Sequence, residues 1–321
     1  MPLDPQAKAI VDAVRQAGLP EFWQLTPDQA REQYLQRVRR LDARDEPIHV
    51  TETLRIDVAD RALRVRVYRP RETMIGERLP VLVWYHGGGF VIGDLETHDS
   101  ACRRLARLAG CLVMAVDYRL APEHKFPAAV DDAMAALRWV AMHGDRIGAD
   151  TTRLAVGGDS AGGNLAAVCA ILARNEGFPA LACQLLIYPC TAPEPETRSH
   201  HQFAEGYLLT RNTITWFYKQ YLRSAKDWQD FRFGPLIAED LSGLAPAFVL
   251  VAGYDPLRDE GVQYASRLIE AGNRVTLVNY EGMVHGFFLM LGALDAAGRA
   301  VAQAAGALRE AFGITASKEE R

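Results

Sequence analysis

The sequence predicts an α/β fold, a mostly parallel, twisted sheet of eight strands with helices on both faces. Three observations predict it. From residue 80 onward, short and solidly apolar runs alternate with longer stretches of helical periodicity. Strands buried on both faces read in this way, and the handedness of crossovers makes a doubly wound sheet the default. The first two strand candidates follow each other with no helix between them, so they read as an antiparallel edge rather than part of a barrel. Finally, 321 residues with 49% apolar side chains bury roughly 75% of the unfolded chain's surface, so no disulfide or metal staple is needed.

The elements follow in order. Residues 1–45 read as helices: Ile10, Val14 and Ala17 recur at helical spacing, and Thr26-Pro27-Asp28-Gln29 is a helix start with proline at the first helical position. Ala30, Tyr34, Val38 and Leu41 then mark one face. Residues 50–58 and 62–68 alternate like a half-buried antiparallel pair. Strands are expected at 80–85, 111–118, 153–157, 181–188, 247–253 and 274–280, with helices near 99–109, 127–143, 161–175, 259–271 and 294–312. About sixty residues separate the strands at 181–188 and 247–253. Nine of the chain's 28 aromatics fall within 203–233, which makes this insertion too apolar for a loose loop. With the N-terminal helices it reads either as a cap over one end of the sheet or as a plain packing subdomain.

Composition narrows the function. Lys and Arg number 36 against 40 Asp and Glu, a net charge of −4, which gives no reason to expect a nucleic-acid partner. No apolar run approaches the ~18 residues of a membrane span. The beginning lacks the basic-then-apolar layout of an export signal, so the cytoplasm is the expected location. Cys102, Cys111, Cys169, Cys183 and Cys190 are dispersed with no C-x-x-C, as suits buried thiols in a reducing compartment.

Gly158-Asp159-Ser160-Ala161-Gly162 matches G-x-S-x-G between an apolar strand and a helical run. That context is the nucleophile elbow, a strained strand-to-helix turn with serine at its tip, beside a helix N-terminus that favours developing negative charge. His86-Gly87-Gly88-Gly89 follows another strand. Three glycines free a loop's N–H groups to point into a cavity, which is the requirement of an oxyanion hole, with the Ala161 amide as a further donor. His86 reads as an imidazole that holds this loop. The serine needs a base and the base an orienting carboxylate, in the order Ser, Asp/Glu, His. His285, just past the last strand, is the only histidine after residue 201. Asp255 lies at the preceding strand's terminus; its rivals Asp259 and Glu260 read as carboxylates at a helix start.

Other candidates carry less. Gly157 and Gly162 have P-loop spacing, but Gly163-Asn164 stand where lysine and a hydroxyl are required. His200-His201 read as solvated loop histidines with no third metal ligand, and Met283 and Met290 as core filler. No metal and no cofactor are expected.

These motifs resemble the hormone-sensitive-lipase-like branch of the α/β-hydrolases, bacterial carboxylesterases with HGGGF and GDSAGGN. The likeness rests on His86-Gly87-Gly88-Gly89-Phe90, Asp117-Tyr118-Arg119-Leu120-Ala121-Pro122-Glu123, the stretch 158–164, Asp255-Pro256-Leu257-Arg258-Asp259-Glu260-Gly261 and Val284-His285-Gly286-Phe287. It runs from about residue 45 to the end. The resemblance implies an α/β-hydrolase catalytic domain over 46–321, N-terminal cap helices over 1–45 and a cap insertion at about 190–232. It implies Ser160 as nucleophile, Asp255 as acid and His285 as base, with an oxyanion hole from Gly87, Gly88, Gly89 and Ala161. The implied activity is hydrolysis of short- to medium-chain acyl esters. A small-molecule ester is the expected partner, and the chain is expected to be a monomer or homodimer. Two alternatives stay open: a non-catalytic small-ligand receptor on the same fold, and amide, lactone or carbamate hydrolysis by the same triad.

Overall fold

The computed structural model describes residues 1–43, 46–59 and 61–314; positions 315–321 of the expected catalytic unit lie outside them. Eight strands form one sheet in the order β1-β2-β4-β3-β5-β6-β7-β8. They are β1 (Val50–Val58), β2 (Arg61–Arg69), β3 (Leu79–Tyr85), β4 (Leu112–Val116), β5 (Ala149–Asp159), β6 (Cys183–Ile187), β7 (Ala247–Tyr254) and β8 (Val275–Val284). β1 pairs antiparallel with β2 and β2 with β4, while every later pairing is parallel. The antiparallel edge and the parallel body are as the apolar patterning predicts.

β3, β4 and β6 are buried along their whole length, and the side chains of the central strands alternate between two cores. Val81, Val83 and Tyr85 of β3 face one core, with the helices α4 (Ala128–His143), α5 (Ala161–Glu176) and α8 (Arg258–Glu270). Leu82 and Trp84 face the other, with α3 (Asp99–Ala109) and α9 (Asp295–Ala311). Period-two alternation between two covered faces is the packing that defines a doubly wound sheet.

The N-terminal helices are α1 (Pro5–Ala17) and α2 (Pro27–Leu41). Thr26 and Gln29 close a reciprocal capping box at the start of α2, as the sequence signature requires. α1 differs from expectation: it buries Ala7, Ile10 and Val11, whereas Val14 is half-buried and Ala17 exposed. All three buried residues lie in its first two turns. The insertion between β6 and β7 carries α6 (Arg198–Gln202) and α7 (Arg211–Tyr221). Most of its aromatics pack inward, with Tyr221 stacked on Phe90 at 4.0 Å and Phe233 edge-on to Tyr218 at 5.0 Å.

The Asp117–Glu123 stretch is architectural. Tyr118 Oη donates to the His86 carbonyl at 2.7 Å, and Glu123 takes Arg31 of α2 in a two-pronged pair at 2.7 and 2.8 Å. Arg31 also donates to the carbonyls of Val91 and Ala121, so α2 is fastened to the loop after β3. All five cysteines are free and buried; burial pushes the thiols of Cys111, Cys169 and Cys183 up to about 12. Among the described residues no helix is long and apolar enough to cross a membrane.

Candidate active site

β5 ends at Asp159 and α5 begins at Ala161, so Ser160 alone makes the turn. Its backbone sits at φ 55° and ψ −118°, a region that costs about 1–3 kcal/mol for a residue with a Cβ. The surroundings enforce it. Ser160 N–H donates to Ile187 O at 2.9 Å, and Ser160 O accepts from Asn164 N–H at 3.0 Å. The flanking glycines let strand and helix close: a Cβ on Gly162 would lie 1.9 Å from Tyr85 O. Serine Oγ thereby stands at the carboxyl end of the sheet, beside the N-terminus of α5.

His285 directly follows β8 and Asp255 directly follows β7. His285 Nδ1 lies 2.7 Å from Asp255 Oδ2, and its Nε2 lies 3.0 Å from Ser160 Oγ. Asp255 is fully buried, and its other oxygen accepts the Leu257 N–H at 2.8 Å. With Asp255 accepting at Nδ1–H, the imidazole presents a basic Nε2 to the serine. The ring of Tyr188, itself at φ 33°, packs 4.7 Å from that of His285.

The glycine loop faces the serine. Gly88 and Gly89 adopt φ 116° and 59°, and among the described residues no protein group accepts from their amides or from that of Ala161. All three residues line one cavity with Ser160 and His285. Gly87 departs from the expected set: its N–H donates to Asp159 Oδ1 at 2.9 Å, so it is spent on the scaffold and turned away from an oxyanion. His86 holds the loop, as its position before the glycines suggests. Its Nδ1 lies 2.8 Å from Gly87 O and its ring stacks on Tyr118 at 4.2 Å. Burial, and then the charge of His98, hold its pKa down at about 4, so it is neutral.

Two buried clusters escaped the sequence. Asp159 pairs with His98 Nε2 at 3.0 Å, both side chains being buried; the only signal was a carboxylate inside an otherwise apolar elbow. Glu260, expected as a carboxylate at a helix start, stands there fully buried, and it accepts the amides of Thr191 and Ala192. His200 is corrected. Instead of a solvated histidine, it is fully buried, 3.2 Å from Glu260 Oε2, while His201 is exposed beside Glu196. Asp259 accepts the Ser199 N–H at 2.9 Å. Neither Asp259 nor Glu260 is among the partners of His285.

The cavity above Ser160 holds about 950 Å³ of unoccupied space, its mouth included. Its walls come from α2 and the turn before it (Phe22, Tyr34, Val38), from the insertion (Leu208, Ile214, Phe217) and from the segment after His285 (Leu289, Met290). Met290, expected as core filler, is buried and also lines this wall.

Comparison with known proteins fits this architecture. Residues 82–289 match the family model described as alpha/beta hydrolase fold. The chain is 38% identical to ethyl acetate hydrolase of Pseudomonas putida over 97% of this chain and 99% of that protein. It is 40% identical to esterase LipI of Mycobacterium tuberculosis over 96% and 94% of the two chains. Carboxylic ester hydrolase LipN of the same organism is 52% identical, over 73% of this chain and 63% of its own length. Among solved structures, a hyperthermophilic esterase from Pyrobaculum calidifontis superposes with a TM-score of 0.92 at 44% identity, covering 98% of this chain and all of the other. An alpha/beta hydrolase from the Lake Arreo metagenome gives 0.93 at 44% identity, over 97% and 99%. The chain therefore belongs to the α/β-hydrolase fold family, in its hormone-sensitive-lipase-like carboxylesterase branch.

Proposed function

We propose that this protein is a serine carboxylesterase acting on short- to medium-chain acyl esters through an acyl-enzyme. The observation that carries the reading is the line Asp255–His285–Ser160, with separations of 2.7 and 3.0 Å, ending in a cavity with three unengaged amides. Ser160 Oγ attacks the ester carbonyl while His285 Nε2 removes its proton, and Asp255 stabilises the imidazolium. The oxyanion forms against the amides of Gly88, Gly89 and Ala161; each such donor is worth about 3–4 kcal/mol in the transition state. His285 then protonates the departing alcohol, and a water molecule repeats the sequence on the acyl-enzyme.

Residues 1–45 and the insertion at about 190–232 act as the cap that shapes the acyl and alcohol pockets. Their contributions to one continuous apolar wall support this, and the catalytic domain then spans 46–321. The same walls support the limit on chain length, since Leu208, Ile214 and Phe217 bound the space above Ser160. That one relative is named for ethyl acetate, a short ester, points the same way.

Rates on 4-nitrophenyl esters from C2 to C16, with Ser160→Ala as control, test the reading. Turnover should peak below C12 and vanish in the variant. A maximum at C12 or longer overturns the chain-length assignment, and wild-type rates in Ser160→Ala overturn the nucleophile.

A further inference from the structure

We infer that Arg37 and Tyr34 form an anion-recognition site in the ester pocket, so that the preferred substrates are esters carrying a carboxylate several carbons from the scissile carbonyl. The inference rests on the ester-hydrolase reading above and adds a substrate class to it.

Arg37 projects from α2 into the cavity that holds Ser160 and His285. The cavity wall there is mostly apolar, with Phe22, Val38 and Leu41 among its residues, and Arg37 also borders an outer groove that carries Glu21 and Glu205. Among the described residues no acceptor hydrogen-bonds its guanidinium and no carboxylate lies within ion-pair distance. The contrast with Arg31, two turns earlier on the same helix, is direct: Arg31 is saturated by Glu123, Asp28 and two carbonyls. The contact made by Arg37 is with the face of Phe22, its Cζ 4.9 Å from the ring centroid. Glu21, whose field reaches Arg37, is already committed to Trp23 Nε1 at 3.0 Å and Thr210 Oγ1 at 2.6 Å.

A guanidinium remains charged at any working pH, and half-buried without a partner, as Arg37 is, it is costly to hold. Burial accordingly pulls the Arg37 pKa down from its ordinary value. An incoming carboxylate removes that penalty with a charge-assisted, planar pair. Tyr34 supplies a second donor. It stands three residues before Arg37, one turn away on the same helical face, and lines the same cavity. Burial pushes its phenol up, so it keeps its proton. Among the described residues its hydroxyl has no hydrogen-bond partner.

Position sets the spacer. Gly89 of the oxyanion loop backs onto Phe217, whose ring a Cβ at Gly89 would meet at 2.2 Å. The Phe217 ring lies 6.4 Å from that of Phe22, and Arg37 covers Phe22. The cation thus sits two aromatic rings back from the oxyanion loop. Monoesters of medium-length dicarboxylic acids bridge such a separation with a methylene chain along the apolar wall.

The test compares monoethyl adipate with ethyl hexanoate, a neutral ester of matching length, by pH-stat in wild type, Arg37→Met, Arg37→Lys and Tyr34→Phe. The readout is the ratio of kcat/KM for the two esters, each variant serving as its own folding control. Wild type should favour the carboxylate ester. Arg37→Met should cut the ratio tenfold or more, through KM for adipate, and Tyr34→Phe by a smaller factor. Arg37→Lys should retain part of the preference, and added salt should weaken it in wild type. A wild-type ratio that does not favour the carboxylate ester, or an Arg37→Met ratio within twofold of wild type, overturns the inference. Wild type that hydrolyses neither ester overturns the esterase reading itself, a separate result.

Discussion

Asp159 Oδ1 accepts the Gly87 N–H at 2.9 Å, so the residue before the proposed nucleophile holds the loop that faces it. His98 completes the anchor from the start of α3, at 3.0 Å from the same oxygen. The fit is close, because a Cβ on Gly87 would lie 2.4 Å from Asp159 Oδ2. Removing the carboxylate leaves the Gly87 N–H with His98 Nε2, at 3.1 Å, as its acceptor, loosens the anchor and frees the next two amides to drift. Asp159→Ala should therefore lower kcat by about 10²–10³, the size of one lost oxyanion donor, with KM little changed. Steady-state kinetics on a neutral ester check this, and a wild-type kcat would detach Asp159 from the oxyanion loop.

Asp255 fixes the tautomer of His285, and its two oxygens are both engaged, by His285 Nδ1 and by Leu257 N–H. An asparagine keeps the shape but can turn an NH₂ toward Nδ1, which places the imidazole proton on the wrong nitrogen. Asp255→Asn should then lose about 10⁴ in kcat while the fold persists. Labelling by a fluorophosphonate at saturating probe should slow in parallel. Labelling at the wild-type rate would assign the orienting role elsewhere.

The elbow and the glycine loop were legible because they are local: strand, strained turn and helix follow one another within a few residues. Asp255 and His285 were legible through chain order, since each closes a strand. What stayed hidden depends on partners far along the chain. Asp159 is explained only by Gly87 and His98, brought together by the parallel register of β3 on β5. His200 looks solvated until Glu260, sixty residues later, is packed against it. β8 runs to Val284 rather than ending at 280, because the strand continues past a register shift near Gly253. There a Cβ would lie 1.9 Å from Glu281 O, a close approach that no local pattern reveals. In α1, Ala7 and Val11 replace Val14 and Ala17 at the buried face because tertiary contact, not periodicity, chose which turns to cover.

His200 and Glu260 are both fully buried, 3.2 Å apart. Glu260 also holds the backbone of Thr191 and Ala192 just beyond Cys190, whose N–H donates to Ser160 O at 3.2 Å. The carboxylate thus ties the insertion's first residues to the start of α8, close to Asp255. Deleting Glu260 strands the two buried amides that it accepts, at about 1–3 kcal/mol for each. Glu260→Ala should destabilise by that order in urea unfolding, and His200→Ala, which empties the buried space beside the carboxylate, should destabilise as well. The double variant should cost less than the sum of the two, since the partners share one interaction. Strict additivity would show that they act independently.

Stability should fall with acid in a window set by His86. Its pKa is held at about 4 in the folded protein by burial and by the charge of His98, against about 6.5 for an unhindered imidazole. Between those values the unfolded chain binds a proton that the native site refuses, so the stability is complete above pH 6.5 and drains as pH falls toward 4. The stacked Tyr118 ring and the contact from Nδ1 to Gly87 O leave an imidazolium no room for water. Unfolding free energies measured by urea titration from pH 7.5 to 4 should decline through this interval. His86→Asn, which carries no titrating group, should lower stability at pH 7.5 and flatten the decline, and an unchanged slope in that variant would move the acid sensitivity to another group.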